Sequence, residues 1–389
     1  MITDTNTKQR PIYFDYHATT PMDPRVVERM LYYMTEAFGN ANSTDHTFGD
    51  EAEEAVTTSA QQVANLVGTS PRNVIFTSGA TESINLALQG HCTTAGRKQY
   101  IAVSPLEHKA VLDTCKALEE QGKAEIHWLQ VDRLGRINIA YIKEVCQAGA
   151  DLLCIMAANN EIGTIYPIQK IAEIAAEYNT AFLCDATQAV GKISMKCDDW
   201  SITYLAFSAH KIYGPKGCGA LIIQPGAHLS PLIYGGAHQK GLRSGTLNIP
   251  GIVGLGEACR LRLEEMEYDE GVIRAKRDQL LRLLQAEIPD IVLNGDTNAR
   301  LAGNLHISIP STPNSVVIAH IRHRLAISTG SACSSGIEAP SHVLKAMLLD
   351  NKCIEGALRI GIGKFTTDQE IIEGAKIIIE AVKIISPNI

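Results

Sequence analysis

Between residues 74 and 223 the chain alternates two textures. Short apolar runs rich in β-formers are each followed by a stretch with the apolar recurrence of a helix. VIFTSG precedes TESINLALQG, YIAVS precedes KAVLDTCKALEEQG, AEIHWLQV precedes INIAYIKEVCQAG, and DLLCIMAA precedes, after a loop, IQKIAEIAAEY. AFLCDA, ITYLAFSA and CGALIIQP add three strand candidates, the last two close together. Strands alternating with helices predict βαβ units and a mostly parallel sheet, which is the α/β class.

After residue 260 the pattern changes. A long, charged helix candidate, EACRLRLEEMEYDEGVIRAKRDQLLRLLQAEI, leads into shorter elements, among them NLHISIP, SVVIAHIRHRL and ALRIGIG. The sequence therefore predicts a large domain over 12–260, whose first residues join the smaller unit, and a small α/β domain over 261–389. A chain of 389 residues with 45% hydrophobic and 20% charged content suits such a globular division.

A net charge of −7 leaves no basic surplus for a phosphate backbone, so no nucleic-acid partner is expected. MITDTNTKQRPIYFDY has no apolar signal core, and no run approaches the roughly 18 apolar residues of a membrane span. No membrane association is expected, and the cytoplasm is the expected compartment. The ten cysteines lie mostly in apolar stretches such as DLLCIMAA and AFLCDA, without a CxxC pair. A reducing compartment is expected, and no zinc site. His320 and His323 lack nearby Cys or carboxylate partners, so no metal is expected there either.

In open parallel sheets ligands bind beyond the carboxyl ends of the strands. VIFT ends in Ser78-Gly79-Ala80-Thr81-Glu82-Ser83 before a helix, which is either an anion site for a phosphate or a capping box with Thr81 as cap. AFLC ends in Asp185-Ala186-Thr187-Gln188, where the carboxylate could keep a ligand nitrogen protonated or cap a helix. ITYLAFS ends in Ser208-Ala209-His210-Lys211 and then a glycine-rich run; the lysine is a Schiff-base candidate or a solvated surface group. Together the three supply what pyridoxal 5'-phosphate (PLP) needs: a phosphate anchor, an acid for its pyridine nitrogen and a lysine for its aldehyde. STGSACSSG, residues 328–336, sets Cys333 among glycines and serines that cannot bury it, as a reachable nucleophile requires.

In order and wording these motifs resemble the cysteine desulfurases of the NifS/IscS type, within the class V PLP-dependent aminotransferases. The matching text is FDYHATTP, FTSGATESINLAL, EHKAVLDTC, NNEIG, DATQAVGK, SAHKIYGPKG, RSGTLN, STGSACSS and LRIGIGKFTT, which extends over nearly the whole chain. The resemblance implies the aspartate aminotransferase-like fold type I of PLP-dependent transferases, with Lys211 on the cofactor aldehyde and Asp185 on its pyridine nitrogen. It implies that His108 stacks on the ring and assists proton transfer, and that Ala80, Thr81, Ser208 and His210 hold the phosphate. Asn160 and Gln188 would meet the ring oxygen, and Thr246 would reach the phosphate of a neighbouring subunit, so a homodimer is implied.

Arg359, with Asn160, is similar to the residues that bind the substrate carboxylate. Cys333 is the implied sulfur acceptor, L-cysteine the implied substrate, and a protein such as an iron–sulfur scaffold the implied recipient. The departures are His17, where the family often has Asn, Ser or Ala, and GNANSTDHTFG around His46. The ending IISPNI, without a longer docking tail, leaves the recipient open, and the long stretch from STGSACSS to LRIGIG is similar to the extended-loop group rather than the SufS-like branch. A selenocysteine lyase or class V aminotransferase on the same scaffold, and a non-catalytic sulfur carrier, are the alternatives.

Overall fold

The computed structural model describes residues 10–310, 312–330 and 340–386. β1 (Ile12–Tyr13), α1 (Pro24–Thr35) and α2 (Thr47–Val67) open the chain. Next come β2 (Val74–Thr77), α3 (Ala80–Ala95), β3 (Gln99–Val103), α4 (Lys109–Glu120), β4 (Ala124–Trp128) and α5 (Ile139–Gln147). β5 (Leu152–Cys154), α6 (Ile168–Glu177), β6 (Ala181–Asp185), β7 (Tyr204–Ser208) and β8 (Gly219–Ile223) complete the alternating region, and α7 (Ile249–Glu287) leaves it. The remaining elements are β9 (Val292–Leu293), β10 (Asn304–Ser308), α8 (Asn314–Ile321), β11 (Leu325–Ala326), α9 (His342–Ala346), α10 (Asn351–Glu355), β12 (Ala357–Gly361) and α11 (Asp368–Ile385).

The seven-stranded sheet has the order β2-β8-β7-β6-β5-β3-β4. Only β8 runs against its neighbours, so the α/β architecture with a mostly parallel sheet, expected from the alternating pattern, is what forms. Every other strand delivers its carboxyl end to one edge. Side chains alternate across the pleat. Leu183, Cys154 and Ala206 pack with Ile84 and Leu88 of α3 and Val111 and Leu118 of α4. Phe182, Leu205 and Phe207 face the other way, against Ile171 and Ala175 of α6 and Leu255 and Cys259 of α7.

α7 begins at Ile249, before the predicted EACRLRLEEMEYDEGVIRAKRDQLLRLLQAEI stretch, and takes in Gly251, Gly254 and Gly256. Its N-cap Asn248 accepts from the Gly251 amide at 3.2 Å, and Pro250 sits in the first turn, where its missing N–H costs nothing. A Cβ at Gly254 would come within 2.6 Å of Met30 Sδ, and one at Gly256 within 2.8 Å of Ser59 Cα. These glycines are therefore packing surfaces for α1 and α2. Position 260/261 falls inside this helix.

The C-terminal elements form an antiparallel sheet, β12-β10-β9, and β1 pairs in parallel with β11. Their apolar cluster joins Phe14, Ile307, Leu358 and Ile360 to Ile273, Leu280 and Leu284 of α7 and Ile378 of α11. Among the described residues no helix is long and apolar enough to cross a membrane.

Candidate active site

The carboxyl ends of β2, β3, β5, β6 and β7 open on one cavity of about 320 Å³. Ala80, Thr81, His108, Asn160, Asp185, Gln188, Ser208, His210, Lys211 and Arg359 all line it, with His17, Ala18 and Thr187. Residues at or after the ends of five strands of the large sheet, and one residue of a small-sheet strand, thus converge. Thr246 is exposed and outside this lining, and His46 caps α2, its Nδ1 accepting from the Gly49 amide at 3.3 Å. Cys333 lies outside the described residues.

One end of the cavity is built for an anion. The N-cap of α3 is Gly79, at φ +150°, which favours glycine and offers no capping side chain, so Thr81 belongs to the first turn and is not the cap. The Ala80 amide donates to Ser208 Oγ at 2.7 Å, tying the helix start to the end of β7. Gly219 makes this close approach possible, since a Cβ there would lie 2.6 Å from Gly79 Cα. Glu82 Oε2 accepts from the Ser78 amide at 2.8 Å, and Arg243 Nε donates to Glu82 Oε1 at 2.9 Å. A helix start with a glycine N-cap, whose first residues line the cavity, favours a phosphate.

Lys211 ends a short helical turn after β7, and its Nζ donates to the carbonyls of His17 and Ala18, each at 2.6 Å. It is a half-buried cavity residue rather than a surface lysine. Next to it, His210 Nδ1 meets Thr19 Oγ1 at 3.0 Å, and burial with the neighbouring lysines pushes its pKa down to about 4. Buried Asp185 accepts from the Thr187 amide at 3.0 Å. Thr187 Oγ1 itself is buried with no hydrogen-bond partner among the described residues, so a ligand group is called for beside Asp185. His108 caps α4, its Nδ1 accepting from the Ala110 amide at 3.1 Å, which leaves the ring proton on Nε2 in the neutral form.

Arg359, on β12, is buried and held across the two sheets. Its Nη2 donates to Asp15 Oδ1 at 3.0 Å and its Nη1 to the Asn160 carbonyl at 3.4 Å, while Nε has no partner among the described residues. Burial raises the Asp15 carboxyl, and Arg359 opposes that rise. The sequence reading missed Asp15 and Thr187 as site residues and gave His17 only as a departure from the family pattern, near the substrate mouth. Asp15 and His17 stood in FDYHATTP and Thr187 in DATQAVGK, but nothing local reveals that Asp15 meets Arg359.

Beneath His108 lies a second missed group. Glu107 is buried; its Oε1 accepts from the Met156 amide at 2.8 Å and its Oε2 has no partner among the described residues. Burial, with Asp185 nearby, pushes its carboxyl well above the ordinary range. A carboxyl raised on folding contributes its stability below the unfolded value of about 4.3 and loses it as pH rises towards the folded value. Glu107→Gln removes this proton demand. Its stability relative to the native chain is therefore expected to grow with pH above about 4.3, by at most ~1.4 kcal/mol per unit. Urea unfolding of both proteins at pH 5 and pH 8 checks this; a pH-independent difference contradicts it.

The residues fit PLP: an anion cradle, a carboxylate beside an unsatisfied threonine, and a lysine meet at one cavity. The chain matches the family described as Aminotransferase class-V over residues 12–373. It is 42% identical over 381 residues to "Cysteine desulfurase IscS" of Rickettsia bellii, covering 97% of this chain and 92% of that one. A solved structure of a "NIFS-LIKE PROTEIN" superposes with a TM-score of 0.90 at 35% identity, over 96% of this chain and all of that one. Another, "SspA in complex with cysteine", gives a TM-score of 0.79 at 31% identity, covering 92% of this chain and 100% of that one.

Proposed function

The chain belongs to the class-V aminotransferase family, and from that premise we propose that it is a PLP-dependent cysteine desulfurase. It takes sulfur from L-cysteine, releases L-alanine and holds the sulfur as a persulfide on Cys333. The observation that carries the reading is the meeting of Lys211, Asp185 and Arg359 around one cavity beside the glycine-capped start of α3. When bound there, PLP supplies an electron sink that weakens the carbon–sulfur bond of the amino acid.

The chain's own residues do the rest. The first turn of α3, with Ser208 and His210, would hold the phosphate, and Asp185 would keep the pyridine nitrogen protonated. Asn160 and Gln188 would contact the ring oxygen, and Lys211 would hold the aldehyde. His108 would contact the ring and can supply a proton at Nε2. Arg359, aimed by Asp15, takes the substrate carboxylate through a planar, two-pronged contact. The Cys333 thiolate then bonds to the substrate sulfur as that sulfur parts from carbon. L-cysteine and a thiol become L-alanine and a persulfide, so atoms and electrons balance without an added oxidant.

A homodimer belongs to the same proposal, with Thr246 reaching across the interface. The exposure of Thr246 and of Val27, Leu31, Met34, Phe38 and Phe48 supports it. The proposal also includes a cofactor-binding unit over 12–260 with a smaller unit over 261–389, a protein sulfur recipient such as an iron–sulfur scaffold, and a place in the cytoplasm.

Arg359→Lys is expected to raise KM for L-cysteine by roughly tenfold or more with a smaller fall in kcat, because one ammonium cannot satisfy Asp15 and a carboxylate together. Steady-state alanine formation reads it; an unchanged KM would remove Arg359 from the substrate site. The function itself is tested by adding PLP and then L-cysteine to purified protein. Uptake of one cofactor per chain followed by alanine release supports it, and protein that binds no PLP or releases no alanine refutes it.

A further inference from the structure

β2 is an outermost strand of the large sheet, so one side of its backbone has no strand beside it. Side chains of the segment 237–243 take that place. Lys240 Nζ donates to the Arg72 carbonyl, just ahead of β2. Gln239 Nε2 donates to the Phe76 carbonyl at 2.8 Å, and its Oε1 accepts from the Phe76 amide at 2.6 Å. One side-chain amide thus takes both backbone groups of a strand residue, as a paired strand would. Beyond the end of β2, Arg243 Nε donates to Glu82 Oε1 at 2.9 Å and its Nη2 to Glu82 Oε2 at 3.4 Å. The same Oε2 accepts from the Ser78 amide at 2.8 Å.

The backbone that makes these contacts is strained. Ala237, Gln239 and Lys240 take φ of +54°, +48° and +62°, where a Cβ crowds the following carbonyl. Such residues persist only where their surroundings over-determine them, and they gather at functional sites. Guarding an exposed sheet edge would account for Gln239. It does not account for Arg243, whose partner Glu82 belongs to the first turn of α3. What the two contacts share is the stretch between them, residues 77–81, which joins β2 to α3 and places Ala80 and Thr81 on the cavity wall.

With the PLP reading as its premise, we propose that Gln239 is a positioning residue for the cofactor phosphate. It fixes β2 at Phe76 while Arg243 fixes α3 at Glu82, and the turn between them is kept in the shape that receives the anion. Both side chains stand outside the cavity lining, so they act through that turn and not on the cofactor. The amide is required because Phe76 presents one donor and one acceptor. A glutamate accepts from the Phe76 amide but sets a carboxylate oxygen against the Phe76 carbonyl. The same segment runs on to Thr246, so the part of the chain assigned to the neighbouring subunit's phosphate also braces the cradle of its own.

The test compares PLP with pyridoxal, which has the same ring and aldehyde but no phosphate. Dissociation constants for both are measured by absorbance titration of the PLP-free native protein, Gln239→Glu and Gln239→Ala. The expected result in each variant is PLP weakened about five- to tenfold, with pyridoxal changed less than about twofold. KM for L-cysteine of the PLP-saturated variants is expected to stay within about twofold of native, since Arg359 and its partners are untouched. Gln239→Ala serves alone if the glutamate variant does not fold. Unchanged PLP affinity, or equal weakening of PLP and pyridoxal, overturns the proposal and makes Gln239 a guard of the sheet edge. If the native protein itself takes up no PLP, the PLP reading falls together with this one.

Discussion

Lys211→Ala will lose alanine formation from L-cysteine by roughly a thousandfold or more, the scale expected when a covalent catalytic group is deleted. The lysine is singled out by its surroundings. Its Nζ sits between the His17 and Ala18 carbonyls, at the end of β7, and within the cavity that Asp185 and Arg359 also line. Because the side chain is only half-buried, the carbonyls it leaves can be hydrated. The melting temperature of the PLP-free protein should therefore stay near the native value while activity vanishes. A variant that keeps even a tenth of the native rate would show that the lysine is not the group that reacts.

Cys333→Ala carries the second large effect. Sulfide and persulfide formation should fall roughly a hundredfold or more, while PLP uptake and L-cysteine binding stay near native. The other cysteines cannot readily take its place. Cys92, Cys115, Cys146, Cys154, Cys184, Cys197, Cys218 and Cys259 are buried, and Cys353 is partly so. Burial pushes Cys92 up to about 11 and Cys197 and Cys218 up to about 12, far from a reactive thiolate at neutral pH. Anaerobic incubation with L-cysteine and quantification of alanine and sulfide together measures the effect. Sulfide undiminished in the variant would mean that sulfur leaves without this thiol.

Much of the large sheet was legible because its signals are local. VIFT, AFLC and YLAFS are continuous apolar runs of the kind buried on both faces, and each ends in the residues that line the cavity. What could not be read was set by distant contacts. Asp15 and Arg359 are 344 positions apart, and it is the pairing of the backbone around Asp15 with Gly361, at the end of β12, that brings them to 3.0 Å. Glu107 looked like part of a polar motif, and its sequence could not show that its Oε2 is buried without a partner among the described residues. The early start of α7 was hidden in the same way, since its glycines allow the close approach of Met30 and Ser59 from other helices. Thr81 suggested a cap by residue type, yet Gly79 and the end of β7 supply the local geometry instead.

The central claim is that Cys333 receives the sulfur through chemistry set up by Lys211. The most direct measurement is mass spectrometry of proteolytic fragments after brief exposure to L-cysteine without reductant, with persulfides trapped by alkylation. The account predicts one added sulfur on the fragment containing Cys333 in the native protein and none in Lys211→Ala. Alanine produced by the native protein while that fragment stays unmodified, or sulfur accumulating on another cysteine, would contradict it.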